Sequence, residues 1–473
     1  MLPILEKTTI LKQNVSTAVL SGNPWALSLP FIADAEQNYL KEKLTTETEW
    51  TIYKQPLVYF FHNPKEENKT VQMTEMARRS GSKFFDVLKN EKADILQIAG
   101  MDGLPLTLPF LEGLLLSAYS FSKYKKKKDG FMPAKIFITD ENVSQEQLNE
   151  LRNLTQAVYH ARNLVNEPLS YLTATRFSEE MEKMGKEAGF SVEVFNRKKI
   201  EALRMGGLLA VNKGSIDEPT FTIMEWKPKN ATNKTPVVLV GKGVVFDTGG
   251  LSLKPTKQSM DYMKCDMAGG AAVAATLCAA AVNKLPLHIV GLVPATDNRP
   301  DGNAYVPGDV ITMFDGTTVE IKNTDAEGRL LLADALSYAK RYNPLLVLDI
   351  ATLTGSAEII SGSQGLVAMG NSPEDLEKLK QTGDETFERV VELPLWEEFA
   401  KPLQSNVADL NNLGAREGQT SVAGKFLEHF TGYPWLHLDI AGIAFLHEKD
   451  FYRPAGGTGV GTRLLYHFLK KIN

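Results

Sequence analysis

Asn323-Thr324-Asp325-Ala326-Glu327-Gly328-Arg329-Leu330 places two carboxylates and a guanidinium within five residues, at the mouth of an apolar helix. Residues 330–342 carry that helix, and Leu345-Leu346-Val347-Leu348-Asp349-Ile350 reads as the strand that follows it. A polar turn between a hairpin and a buried helix is the ordinary setting for such a stretch. Three charged groups that close more often mark a site than a surface, and a second charged stretch lies upstream at 242–266.

Working outward, the region from about 168 alternates strand and helix. Strands are expected at 191–195, 221–226, 237–240, 287–293, 345–350 and 435–440, and a hairpin at 309–321 turning on Asp315-Gly316. Helices are expected at 200–205, 268–282, 330–342, 421–430 and 459–471. Val237-Val238-Leu239-Val240 is apolar at every position, as a central strand covered on both faces requires. This alternation predicts a mostly parallel sheet between helices, with ligands beyond the carboxyl ends of its strands. Asp247, Asp325, Thr352 and Ala441 each follow an expected strand or hairpin, so they should meet at one edge.

Residues 1–150 mix strand-like runs (51–53, 57–61, 93–99, 135–138) with helices at 74–88 and 110–121, and hold no catalytic constellation. Residues 144–166 read as one long helix, with Ser144 and Gln147 as a capping box and Glu167-Pro168 as its end. The expected class is therefore α/β. A smaller N-terminal α/β domain (1–143) leads through a connecting helix (144–167) to a larger C-terminal catalytic α/β domain (168–473) with a mostly parallel central sheet.

Bulk properties narrow the function classes. The 473 residues are 43% hydrophobic and 23% charged, ordinary for a globular chain too long for one core. A net charge of -5 gives no global basic field for nucleic acid. Lys125-Lys126-Lys127-Lys128-Asp129-Gly130 lacks the length and aromatic interleaving of a nucleic-acid surface and reads as a solvated loop. Two cysteines, Cys265 and Cys278, make no disulfide framework and read as core thiols of a cytoplasmic protein. The first residues lack a charged segment followed by an apolar run, so no secretory signal is expected. The Ala- and Gly-rich run at 267–282 falls short of the ~20 residues of a membrane span and reads as a buried helix, so no membrane partner is expected.

Lys242-Gly243-Val244-Val245-Phe246-Asp247-Thr248-Gly249-Gly250 fits neither a P-loop nor a dinucleotide fingerprint. It offers Lys242 and Asp247, followed by Lys254 and Asp266. Singly, Asp266 could be a helix N-cap, Asp247 a turn former and Lys254 a loop residue. Together with Asp325 and Glu327 they make four carboxylates in an otherwise apolar, glycine-rich region. Crowded without counterions these would repel, and two divalent cations would balance them. His288 is the only histidine between His160 and His429, so a histidine-based zinc site is not expected.

Residues 242–254, Lys264-Cys265-Asp266-Met267-Ala268-Gly269-Gly270 and the eight-residue stretch 323–330 resemble the leucyl aminopeptidase (cytosol aminopeptidase) family of two-metal exopeptidases. Further matches are Ala161-Arg162-Asn163-Leu164-Val165-Asn166-Glu167-Pro168, Gly302-Asn303-Ala304, Asp349-Ile350-Ala351-Thr352-Leu353-Thr354-Gly355 and His437-Leu438-Asp439-Ile440-Ala441-Gly442. The resemblance is strong over residues 160–473 and weaker before them. It implies two divalent ions per subunit, Mn²⁺ or Zn²⁺, bridged by Asp247 and Glu327. Lys242 and Asp266 would complete the tighter site and Asp325 the exchangeable one. It implies that Lys254 polarises the scissile carbonyl and that Arg329 holds bicarbonate as general base. Met263, Thr352, Gly355, Ala441 and Ala444 would line the first substrate pocket. Ala444 stands where the family often has methionine, which implies a roomier or differently shaped pocket than one strict for leucine. Peptide substrates and a homohexamer complete what the resemblance implies.

Two alternatives remain at the level of sequence. Carboxylate pairs also serve two-metal phosphoesterases. Residues 1–150 could carry a secondary DNA-binding or ligand-binding role, for which the lysine tract is slim support.

Overall fold

The computed structural model describes residues 2–27, 29–64, 70–127 and 130–472. They form two compact units: residues 1–156 with Glu448–Ala455, and residues 157–447 with 456–473. The division therefore falls inside the helix Gln145–Asn166 rather than at its ends, and the short segment Glu448–Ala455 packs with the N-terminal unit. Two contacts account for that placement: Tyr452 donates to Glu75 Oε2 at 3.0 Å, and Lys449 pairs with Asp86 at 2.7 Å. The expected capping box on the long helix is present. Gln147 N donates to Ser144 Oγ at 3.2 Å, and Ser144 N to Gln147 Oε1 at 2.8 Å.

The N-terminal unit is a six-stranded sheet in the order Ile4–Lys7, Lys135–Thr139, Ile95–Gly100, Ser16–Leu20, Leu57–His62, Glu49–Lys54. Only the last pair is antiparallel. The helices Thr70–Glu91 and Thr107–Ser117 pack on each other, and Phe60, Phe84 and Phe110 cluster in the core. The second helix ends at Ser117, four residues before the sequence pattern suggests. Of the lysine tract, Lys125, Lys126 and Lys127 are exposed, and Lys128 and Asp129 lie outside the described residues.

The second unit holds a nine-stranded sheet. Its middle four strands, Trp435–Asp439, Leu346–Ala351, Val237–Gly241 and Ile289–Asn298, run parallel. Antiparallel neighbours are confined to the flanks, at Leu366–Gly370, Thr220–Trp226 and Ser191–Phe195. The fold is thus α/β with a mostly parallel central sheet, as the alternation predicts. The glycine-rich stretch after Lys242 is more than a loop. Gly243–Asp247 is a short parallel strand beside the outer half of Ile289–Asn298, with Asp247 opposite Asn298.

The helix Ala268–Val282 is buried at every position but its last, because alanine and glycine let it lie close on the sheet. Together with the turn before it, Met260–Val282 is long and apolar enough to cross a membrane, yet 89% of its most apolar window is buried inside the protein. Such burial marks a core helix. Both cysteines are free and buried, and burial pushes the Cys265 thiol up to about 12 and the Cys278 thiol up to about 11, which leaves them unreactive. His288 immediately precedes the strand Ile289–Asn298, and its Nε2 lies 2.7 Å from Glu225 Oε1.

The opposite helix, Gly328–Ala339, is also buried throughout and carries one charged residue in its middle, Asp334. Its carboxylate accepts from Leu208 N and Phe314 N, each at 2.9 Å, and so ties a helix and a hairpin to this helix. Burial raises the Asp334 pKa to about 7 from an ordinary 3.8. A raised carboxyl pKa means the folded state favours the proton. This contribution to stability is complete below pH ~4 and is lost as pH rises through 7. Asp334→Ala is expected to leave the buried Leu208 amide and the part-buried Phe314 amide unpaired, costing about 2–4 kcal/mol, and to remove that pH slope. Unfolding midpoints at pH 5 and pH 8 check both outcomes.

Candidate metal centre

Sheet geometry delivers the site residues. Lys242 follows the strand Val237–Gly241, Asp247 ends its own short strand, Thr352 follows Leu346–Ala351, and Ala441 follows Trp435–Asp439. All four therefore leave the sheet at its carboxyl edge. There they line one cavity of about 400 Å³ together with Lys254, Asp266, Asp325, Glu327 and Arg329. Two polar loops close over it. Thr324 Oγ donates to Gly249 O at 2.7 Å and accepts from Ser252 N at 2.8 Å, stapling the loop 323–327 to the loop 249–252. Gly249 sits at φ +85, where a Cβ would lie 2.9 Å from Asp325 Oδ1. At Gly328 a Cβ would lie 2.7 Å from Lys242 Nζ, so the lysine amine needs a glycine at this helix start.

Lys242 Nζ lies 2.8 Å from Asp266 Oδ1 and 2.9 Å from Glu327 Oε1, and donates to Thr352 O at 2.8 Å. Lys254 Nζ lies 2.9 Å from Asp247 Oδ2 and 2.5 Å from Asp325 Oδ1. Each lysine thus spans two carboxylates. Burial works against the charge on Lys242, but Asp266, Glu327 and Asp247 outweigh it and hold the ammonium above the usual lysine range. Burial likewise opposes the Lys254 charge, and Asp247, Glu327 and Asp325 outweigh it. Burial raises Asp266, and it raises Asp325 to about 7 with help from the Asp247 charge. Burial lowers Arg329 to about 10.

The donor set suits hard or borderline divalent cations. Asp247, Asp325 and Glu327 each offer an oxygen, all within 4.8 Å of one another. Asp266 Oδ2 and Glu327 Oε2 are buried and accept no hydrogen bond. A buried carboxylate oxygen left without a donor is costly, and a cation is the partner that would satisfy it. The Nε of Arg329 is also buried without a partner, while its Nη1 donates to Leu413 O at 3.4 Å and its guanidinium lies over Phe426 at 5.9 Å.

Met263, Thr352, Gly355 and Ala441 stand on the cavity wall. Ala444 does not. It is 1% exposed and outside that wall; its N–H donates to Ile440 O and its carbonyl accepts from Thr458 N. Several residues that hold the site went unread in the sequence. Asn298 donates to Asp247 Oδ1 at 2.8 Å and to Thr324 O at 3.0 Å. Asp439 accepts from Leu353 N at 3.1 Å, Thr354 N at 3.0 Å and Ala441 N at 3.2 Å, which fixes the turn that presents Thr352 O to Lys242. Their signal was positional only: each ends a strand of the central sheet.

The fold and the carboxylates clustered at the carboxyl edge of its α/β sheet suit a metal-dependent hydrolase. Comparison with known proteins is specific about which. Residues 159–466 match the model of the cytosol aminopeptidase family, catalytic domain. A probable cytosol aminopeptidase of Chloroherpeton thalassium is 43% identical over 403 residues, covering 83% of this chain and 78% of that protein. One from Geotalea uraniireducens is 40% identical, covering 86% and 83%. The solved structure of the bottromycin maturation enzyme BotP in complex with Mn matches with a TM-score of 0.84 at 29% identity, covering 96% of this chain and 98% of that one. The chain belongs to the cytosol aminopeptidase family, and is accordingly a metallo-exopeptidase that acts on peptides.

Proposed function

We propose that this chain releases N-terminal amino acids, leucine and other apolar residues among them, through a water activated between two divalent metal ions, Mn²⁺ or Zn²⁺. The observation that supports this best is the trio Asp247, Asp325 and Glu327 with oxygens within 4.8 Å, beside buried carboxylate oxygens without donors. Asp247 and Glu327 would bridge both ions. Lys242 and Asp266 would complete the tighter site, and Asp325, through carboxylate and backbone carbonyl, the exchangeable one. When bound, two such ions supply Lewis acidity and a nucleophilic water at neutral pH.

The remaining work falls to the chain itself. Lys242 ligates a metal only as a free amine, so loading the site releases its proton. Asn298 keeps Asp247 aimed by donating to Oδ1, while Oδ2 faces Lys254. Lys254 reaches the cavity on a side chain 16% exposed and is placed to donate to a scissile carbonyl and the oxyanion that replaces it. Asp247, Asp266, Asp325 and Glu327 would all be committed to metal, so none of these four is left to act as the base. Arg329, with an unused Nε, is the residue that would hold bicarbonate for that role. Met263, Thr352, Gly355 and Ala441 would contact the N-terminal side chain. A free α-amine bound beside the metals would restrict action to chain ends.

The test is hydrolysis of leucine amide and short peptides after addition of Mn²⁺ or Zn²⁺, with amino-blocked peptides untouched. No release with any divalent ion would sink the proposal, and turnover of phosphate esters instead would favour a phosphoesterase. Arg329→Ala is expected to keep both metals by elemental analysis while kcat falls about a hundredfold or more. Unchanged kcat would remove Arg329 from the base assembly. The family resemblance also supports a homohexamer in the cytoplasm, which light scattering and fractionation would check. Nucleic acid is not a proposed partner. A salt-dependent mobility shift lost on Lys→Ala changes at Lys125–Lys127 would overturn that.

A further inference from the structure

One acidic group on the cavity wall has no place in the metal centre. Glu358 lies on the short helix Gly355–Ser361, three residues after Gly355 and so on the same face. It lines the same cavity as Met263, Tyr262 and Ala441. The other four wall carboxylates are each matched by a lysine: Asp266 and Glu327 by Lys242, and Asp247 and Asp325 by Lys254. Among the described residues the Glu358 carboxylate has no ion pair and no hydrogen bond, and the residue is exposed. Nothing fills the space above Gly355: a Cβ there would meet no atom within 4 Å.

Tyr262 is the aromatic residue of the same cavity wall. Tyr262 stacks on Phe445 at 5.8 Å and meets the edge of His447 at 5.0 Å. Burial raises the Tyr262 hydroxyl, and the Glu358 charge adds to it, so the negative field of Glu358 reaches into the pocket. A cavity wall that sets Met263 and Tyr262 beside an unmatched carboxylate suits one kind of side chain: a long aliphatic or planar stem with a cationic head.

We propose that Glu358 is a specificity-determining residue that favours peptides whose N-terminal residue is lysine or arginine. The inference rests on the aminopeptidase reading and names a substrate class for that site. Met263 and Tyr262 take the stem of the side chain, and Glu358 takes its ammonium or guanidinium. Apolar N-terminal residues use the same walls without the ion pair.

The experiment is a comparison of kcat/KM for lysyl-, arginyl- and leucyl-p-nitroanilide in the Mn²⁺-loaded protein and its variants. The quantity read is the lysyl-to-leucyl ratio, which does not depend on the fraction of protein folded or metallated. E358Q is expected to lower that ratio about fivefold, the effect of one ion pair at a partly exposed site. E358R should lower it further, E358D should keep most of it, and added salt should lower it in the unaltered protein. A ratio within twofold of the unaltered protein in both E358Q and E358R overturns this inference alone. Protein that cleaves none of the three substrates overturns the aminopeptidase reading, and this inference with it.

Discussion

Glu327→Gln is expected to lose catalysis by about 10³-fold or more in kcat/KM, some 4 kcal/mol of transition-state stabilisation, in a protein that still folds. The reason lies in where Glu327 sits. It is 1% exposed, at the start of the buried helix Gly328–Ala339, with Oε1 2.9 Å from Lys242 and Oε2 unpaired. Glutamine has the same shape and can keep an acceptor toward Lys242. It cannot supply negative charge, and it turns an N–H toward the space a cation would fill. Removing one of four crowded carboxylates also relieves repulsion, so stability should hold or rise. Activity, metal content and unfolding midpoint are the three measurements. Full activity with full metal content would refute the bridging role.

Lys254→Met is expected to cut kcat/KM by about 10²–10³-fold, mostly in kcat, the scale of one lost oxyanion donor. Lys254 also stands between Asp247 and Asp325, so its loss frees both carboxylates. Metal content should therefore stay the same or rise. That pairing of outcomes separates a transition-state role from structural damage, which would lower metal content and activity together. A rise in KM with kcat intact would instead make Lys254 a ground-state binding residue.

Much of this was legible in the sequence, for physical reasons. The strand at 237–241 announces its central place because both its faces are buried and every position is apolar. The long helix before Pro168 announces its start through Ser144 and Gln147, because capping is local chemistry. The metal-centre candidates were legible because carboxylates and lysines are rare in apolar, glycine-rich surroundings. Other features depend on distant pairing. Gly243–Asp247 becomes a strand only because Ile289–Asn298 offers it an edge, which no short-range pattern records. Asp439 and Asn298 look like ordinary polar residues until the fold brings backbone amides or carboxylates to them. Resemblance places Ala444 on the pocket wall, yet the residue is buried and lies off that wall. The segment Glu448–Ala455 likewise gives no sign in sequence of packing with residues more than three hundred positions earlier, as Lys449 does with Asp86.

The central claim is that two metal ions sit between Asp247, Asp266, Asp325, Glu327 and Lys242. Anomalous scattering from crystals grown with Mn²⁺ tests it most directly. The expected map has two peaks about 3.5–4 Å apart, both touching Asp247 and Glu327. A single peak, or peaks away from these carboxylates, would contradict it.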